Sequence, residues 1–332
     1  MKAAQISGYS KEIKLKINDI PMPEVRDYDV LVKVKAAGVN PLDMLILRGS
    51  VKLIVDYQFP LTMGNELSGV VEAVGKRATK FKVGDSVYTR LPEQRIGAFA
   101  EYAAVHEDAV AKMSSSLDYV EAAAVPLTAL TAYQVLKEKF HAQPGEKIFI
   151  SGGTGGLGAM AVPMAKHFGL YVITNGGESG RKRMLNLGAD EFLNYKEEDY
   201  SKNLSNIDYV LDTLGTKEIE KELGILKPHG KLVSLAGMPN YRFASERHFP
   251  LWKKLMFGMA GSSLDRIAHK QNKEYYFLFM RADGKQLGEI TKFVESNNIK
   301  PSIDSTFAFK DINAALTKVD TGHSKGKVII TL

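Results

Sequence analysis

The 332-residue sequence predicts an α/β protein: a doubly wound parallel sheet joined to a β-rich domain drawn from both ends of the chain. Three observations predict it. A glycine-rich turn, Gly153-x-Gly155-x-x-Gly158, lies between the apolar strand-like run Ile148–Ile150 and an alanine- and methionine-rich helical pattern. After that turn, strand and helix patterns alternate, the grammar of a parallel sheet covered by helices on both faces. Before it, short strand-like segments fill a stretch long enough for a core of its own.

The elements follow in order. Met1–Ile6 reads as a strand rather than as the apolar region of a signal peptide. Val30–Lys35 alternates apolar and polar residues with period two, as a half-buried strand does. Gly69–Gly75, Asp85–Tyr88 and Ala98–Val105 are further short strands, punctuated by Gly, Pro and Asp. Asp118-x-x-Glu121 is a capping box that opens a helix over Ala122–Lys137. Strands are then expected at Lys147–Ile150, Tyr171–Thr174, Glu191–Asn194, Tyr209–Asp212 and Lys231–Leu235. A helix over Gln286–Ser296, a strand at Ile303–Phe309, a short helix at Ile312–Thr317 and a strand at Lys327–Thr331 close the chain. This last block is too strand-rich to be only a sheet edge, so it is expected to return to the first domain. The expected division is 1–123 with 272–332, and 124–271, the latter carrying a six-stranded parallel sheet.

Composition narrows the function. Hydrophobic residues make up 45% and charged residues 25%, both ordinary for a globular protein. The longest apolar candidate, Ala122–Leu136, is broken by Pro126, Thr128, Thr131 and Gln134, so no membrane span is expected. The formal charge of +6 is thinly spread, as at Lys11–Lys16 and Arg181–Arg183, which suits small anionic ligands. A nucleic-acid face would want a dense basic stripe interleaved with aromatics. There is no cysteine, hence no disulfide and no thiolate chemistry, and a cytoplasmic location is expected.

Between a buried strand and a helix, the glycine turn points to a dinucleotide. Gly153 is expected to reverse the chain, Gly155 to let backbone approach a pyrophosphate, and Gly158 to let helix pack on strand. The amides of Thr154, Gly156 and Leu157 then face phosphate at the helix N-terminus. An acid about 20 residues beyond the turn would select NAD by its ribose hydroxyls. Here the second strand ends in Asn175-Gly176-Gly177, and Glu178 is followed by Ser179 and the Arg181-Lys182-Arg183 cluster. Such donors favour the 2′-phosphate of NADPH, with Glu178 as the rival ribose ligand.

Eight stretches in this order resemble the medium-chain dehydrogenase/reductase superfamily, and within it the zinc-free quinone oxidoreductases that include zeta-crystallin and enone reductases. They are Ala36–Asp43, Gly64–Gly75, Val83–Tyr88, Gly97–Tyr102, Ala123–Ala132, the glycine turn, Asp212–Gly215 and Gly322–Lys327. The resemblance implies a Rossmann domain and a discontinuous, GroES-like, partly β-barrel substrate domain, paired into a homodimer. In zinc-dependent members, a cysteine and a histidine stand where this chain has Asn40 and Asn65. Amides are poor zinc ligands, and the seven histidines are scattered, so no metal is expected.

The resemblance further places Asn40, Asp43 and Thr128 beside the nicotinamide. It assigns Tyr195, Ala236, Gly237, Phe257 and Lys327 to the cofactor as well. Asn40 would donate through its amide. Tyr57, in the loop Ser50–Pro60, is the nearest phenol to serve as proton donor. The implied function is NADPH-dependent reduction of quinones or α,β-unsaturated carbonyls. The alternatives are reduction of an enoyl thioester, and a non-catalytic NADPH- or RNA-binding role.

Overall fold

The computed structural model describes residues 1–322 and 324–332; His323, in the Gly322–Lys327 stretch, lies outside the described residues. The chain divides into two compact units, Met1–Leu130 with Arg281–Leu332, and Thr131–Met280.

The first unit begins with strands β1 (Lys2–Ile6), β2 (Lys16–Asp19) and β3 (Asp29–Val39), then helix α1 (Pro41–Leu47). Strands β4 (Leu61–Thr62), β5 (Glu66–Val74), β6 (Ser86–Arg90), β7 (Tyr102–His106) and β8 (Val110–Lys112) follow. β3 is the hub of this unit. It pairs antiparallel with β5 and β7, and its alternating Val30, Val32 and Val34 are buried. The expected strand at Ala98–Val105 starts only at Tyr102, because Ala98–Ala100 turns instead to bridge Ala3.

The capping box forms as expected: the Glu121 amide donates to Asp118 Oδ1 at 2.8 Å, and the Asp118 amide donates to Glu121 Oε2 at 3.1 Å. The helix it opens is not continuous. α2 (Tyr119–Ala123) stops before Pro126, which has no N–H to donate, and α3 (Pro126–Tyr133) starts afresh on that proline. A π-helical stretch, Gln134–Phe140, runs on to His141, whose φ of 52° ends it.

The second unit contains β9 (Lys147–Ile150), α4 (Gly158–His167), β10 (Tyr171–Gly176), α5 (Arg181–Asn186), β11 (Glu191–Asn194) and α6 (Tyr200–Asn203). It continues with β12 (Ile207–Asp212), α7 (Thr216–Ile225), β13 (Leu226–Ser234), α8 (Tyr241–Glu246), α9 (Leu251–Lys270) and β14 (Glu274–Phe277). Its six strands lie in the order β11-β10-β9-β12-β13-β14, all parallel. Helices cover a parallel sheet on both faces, so Ile148–Ile150 of β9 and Tyr209–Leu211 of β12 are buried apolar runs rather than alternating ones. The sixth strand, β14, lies beyond the boundary expected at 271. Its short sequence, Glu-Tyr-Tyr-Phe, follows a long helix without a glycine or proline break to mark where a strand begins.

The chain then returns to the first unit through α10 (Gly284–Ser296), β15 (Ile303–Ala308), α11 (Ile312–Asp320) and β16 (Lys327–Thr331). β16 pairs antiparallel with β3, Val328 opposite Val39, and parallel with β15. The seven-stranded sheet of the first unit is thus built from both ends of the chain.

Candidate active site

In the first unit, five polar side chains meet in the core between β3, β5, α1 and β16. Asn40, Asp43, Asn65, Glu66 and Lys327 are all 5% exposed or less. Asp43, in the first turn of α1, accepts from the Asn40 amide at 2.7 Å through Oδ2 and from Asn65 Nδ2 at 2.8 Å through Oδ1. Asn40 Nδ2 donates to Glu66 Oε1 at 2.8 Å and to the Gly38 carbonyl at 3.3 Å, while Lys327 Nζ donates to Asn40 Oδ1. Lys327 also forms an ion pair with Glu66, whose second oxygen accepts the Leu127 amide at 2.7 Å.

Burial pushes the Asp43 carboxyl up to about 7, against the opposing pull of the Asn40 amide, the Asn65 side chain and Lys327. Gly38 is obligatory beside this group: a Cβ there would meet the Glu66 carboxylate, with the Ala123 carbonyl at 2.8 Å.

The structure brings Asn40, Asp43 and Lys327 together, and alters one expected role. The Asn40 amide, expected to donate to a substrate, is instead engaged within this network. Thr128 is buried, and its hydroxyl donates to the Ala124 and Val125 carbonyls, leaving its lone pairs to accept. Tyr57 is buried to 6%, and its hydroxyl makes no hydrogen bond among the described residues. Desolvation raises its pKa, and the charges of Arg90, Glu93 and Asp43 act on it, so the phenol stays protonated. Glu66 and Asn65 are site residues that sequence reasoning did not assign. Gly64-Asn65-Glu66 was the available signal, but only the fold shows that Glu66 reaches Lys327.

The residues do not fit a zinc ion. Both positions that would ligate it are amides whose Nδ2 groups already donate, Asn40 to Glu66 and Asn65 to Asp43. Among the described residues, no group of three or more potential metal ligands exists.

In the second unit, the strand order reverses between β9 and β12, the switch point where open α/β sheets take ligands. The positive φ of the turn after β9 falls on Gly152, at 66°, rather than on Gly153. The Gly152 and Gly153 amides donate to Asn175 Oδ1 and O, at 2.8 and 3.0 Å. Gly153 is glycine because a Cβ would strike the Thr174 hydroxyl, and Gly158 because a Cβ would strike the backbone of Gly153. Gly155 has no such neighbour; the nearest atom, Gly152 O, is at 3.6 Å. The amides of Thr154, Gly156, Leu157 and Gly158 donate to no described backbone group, so a row of donors stands open before α4. That row fits a pyrophosphate.

The basic cluster is arranged differently from expectation. Arg181 Nε is held by both Glu178 oxygens, at 2.8 and 3.0 Å, and Nη1 donates to the Phe192 carbonyl at 2.8 Å. Neither Arg181 nor Glu178 therefore stands ready for a ligand. Arg183 donates to the Thr154 carbonyl in the glycine turn. Ser179, Lys182 and Tyr195 are exposed, Tyr195 with its ring edge beside Gly177. Gly180 is required by Thr154, whose Cβ lies 3.1 Å from where a side chain would start. Ala236 and Gly237 form the turn after β13, both amides donating to Ser234 Oγ, at 3.3 and 2.7 Å. Phe257, expected at the cofactor, is 5% exposed and packs edge-on to Phe243 and stacked on Phe249.

A glycine-rich turn at the switch point of a parallel sheet in one unit and a buried polar network in the other are the parts of a dinucleotide-dependent oxidoreductase. Comparison with known proteins agrees. Residues 26–115 match the alcohol dehydrogenase GroES-like domain, and residues 187–330 match a family described as zinc-binding dehydrogenase. The quinone oxidoreductase of Pongo abelii is 33% identical, over 100% of this chain and 98% of its own. An NADPH-dependent alkenal/one oxidoreductase of Arabidopsis thaliana, a chloroplastic protein, is 28% identical over 99% of this chain and 79% of its own. The solved quinone oxidoreductase of Coxiella burnetii superposes with a TM-score of 0.86 at 26% identity, covering 100% of this chain and 99% of that one. The chain belongs to the medium-chain dehydrogenase/reductase superfamily, in its quinone oxidoreductase branch. No helix among the described residues is long and apolar enough to cross a membrane.

Proposed function

We propose that the protein is an NADPH-dependent reductase of quinones and α,β-unsaturated carbonyls that works without zinc. The observation that carries the cofactor is the open row of amides at Thr154, Gly156, Leu157 and Gly158, at the switch point of the parallel sheet. The substrate class follows the relatives named for quinone and for alkenal/one reduction. A bound nicotinamide supplies the hydride; the chain supplies orientation and charge. Asp43 and Asn65 fix the Asn40 backbone and close α1 onto the core, and Thr128 offers lone pairs to an amide donor. The Tyr57 hydroxyl, protonated and without a partner among the described residues, is the group that donates to the oxygen where negative charge develops. Ser179, Lys182 and Tyr195 favour the 2′-phosphate, while Glu178 restrains Arg181.

The test is a steady-state panel of quinone, enal, enone and enoyl thioester, with NADPH and with NADH, in chelator. Quinone or enone turnover that prefers NADPH and survives chelation is expected. Turnover of the thioester alone, or comparable efficiency with NADH, overturns the substrate or the cofactor assignment respectively. Zinc found at about one ion per chain overturns the metal-free assignment.

A further inference from the structure

A second buried acid cluster lies beneath the C-terminal ends of β12 and β13. Asp212, the last residue of β12, accepts the Leu214 and Gly215 amides through Oδ1, at 2.7 and 2.9 Å. Its Oδ2 accepts Ser234 Oγ at 2.5 Å. That same Ser234 oxygen accepts the Ala236 and Gly237 amides, so one carboxylate fastens the turns after both strands. A Cβ on Gly237 would meet Ser234 Oγ at 2.7 Å and Tyr275 OH at 2.5 Å, so this turn tolerates little displacement.

Glu222, on α7, sits against this fastening. It is 0% exposed, and among the described residues no donor meets either of its oxygens in good hydrogen-bond geometry. Asp212 from β12 and Glu218 one turn earlier on α7 face it with like charge, and the Ser151 hydroxyl from the end of β9 partly offsets them. Tyr200 on α6 lies against it and donates to Glu218 at 2.8 Å. Tyr275 on β14 faces Asp212 and donates to the Met238 carbonyl at 2.8 Å. Burial first, and then Asp212, push the Glu222 carboxyl up to about 9.

We infer that Glu222 is a positioning residue of the dinucleotide site. Held as the neutral acid, it leaves Asp212 alone to carry the charge that fixes the Leu214–Gly215 and Ala236–Gly237 turns, and its ionisation releases them. Two buried carboxylates side by side repel strongly, and the relief is for Asp212 to loosen its hold on Ser234 and the two amides. The inference rests on the reading of the second unit as a dinucleotide fold.

The test is the Kd for NADPH, with NADH in parallel, by nicotinamide fluorescence from pH 6.5 to 10, for the unmodified chain and Glu222→Gln. Circular dichroism checks that each sample stays folded, and the ligand-free Tm is recorded over the same range. The unmodified chain is expected to lose at least tenfold in affinity between pH 8 and 10, while Glu222→Gln stays within about twofold. The ligand-free Tm of Glu222→Gln is expected to be higher and flatter across this range. The carboxyl's folded pKa is raised, so the native chain holds a proton that the unfolded chain has shed, and stability declines with pH until about 9. Ser234→Ala, a second variant, is expected to weaken binding at every pH and to reduce the alkaline loss. A flat profile in the unmodified chain, an unchanged alkaline loss in Glu222→Gln, or an unaltered Kd in Ser234→Ala overturns the inference while the cofactor reading stands. Failure to bind either nucleotide at any pH overturns both.

Discussion

At the scale of single residues, the buried network in the first unit depends on one ammonium. Lys327 is the cation that meets the buried Glu66 carboxylate, at 5% and 0% exposure. Removing one partner of a buried pair leaves an uncompensated charge, which costs roughly 3–5 kcal/mol. Lys327→Met is therefore expected to lower stability by about that amount in urea denaturation, and Glu66→Gln in the same chain to recover part of it. A loss below about 1 kcal/mol would show that the ion pair is not held as described. Sequence made half of this site legible. Asn40 and Asp43 stand close together beside a proline, and their types alone suggest a polar cap. Glu66 and Lys327 are separated by 261 positions, and only the pairing of β16 with β3 brings them together. Three side chains expected from sequence to meet a ligand are given partners of their own by the fold: Asn40 by Glu66, Arg181 by Glu178 and Phe257 by Phe243.

At the scale of elements, the glycine turn separates folding from binding. Gly158→Ala drives a methyl into the Gly153 backbone, a buried overpacking that costs roughly 1–3 kcal/mol. Gly155→Ala meets nothing nearer than 3.6 Å and is expected to leave the Tm within about two degrees while weakening NADPH at least tenfold. Thermal melts with and without NADPH check both variants; a Gly155→Ala chain that binds normally would remove Gly155 from the phosphate site. Strands set between turn signals in the alternating pattern were legible: Lys147–Ile150, Glu191–Asn194 and Lys327–Thr331 lie where the sequence puts them. β14 and the break at Pro126 were not. The first follows directly on a long helix, with no glycine or proline to mark its start. The second lies inside an apolar run whose composition suits one helix, and only the missing proline N–H divides it.

At the scale of the whole molecule, β14 forms one edge of the six-stranded sheet, with β13 as its partner and no strand beyond it among the described residues. An unpaired edge is a template for another strand. Edge-to-edge pairing of two copies is therefore expected, giving twice the 36.6 kDa chain mass in solution. Light scattering checks this: Phe277→Pro, which removes an N–H from the free side of β14 (the next residue, Leu278, donates to the Ser234 carbonyl of β13), is expected to give monomers. A unit mass for the unmodified chain at all concentrations would overturn the dimer.

The placement of β16 also has a bearing on the order of synthesis. A ribosome releases Met1–Leu130 early, yet β3 waits for β16, and Glu66 for Lys327, until the last residues emerge. The unit made in the middle, Thr131–Met280, is complete sooner, since all six of its strands lie within one uninterrupted stretch. A nascent chain is thus expected to carry a finished nucleotide-binding unit behind an N-terminal segment still lacking its final strand. The portion synthesised first is the one that closes last.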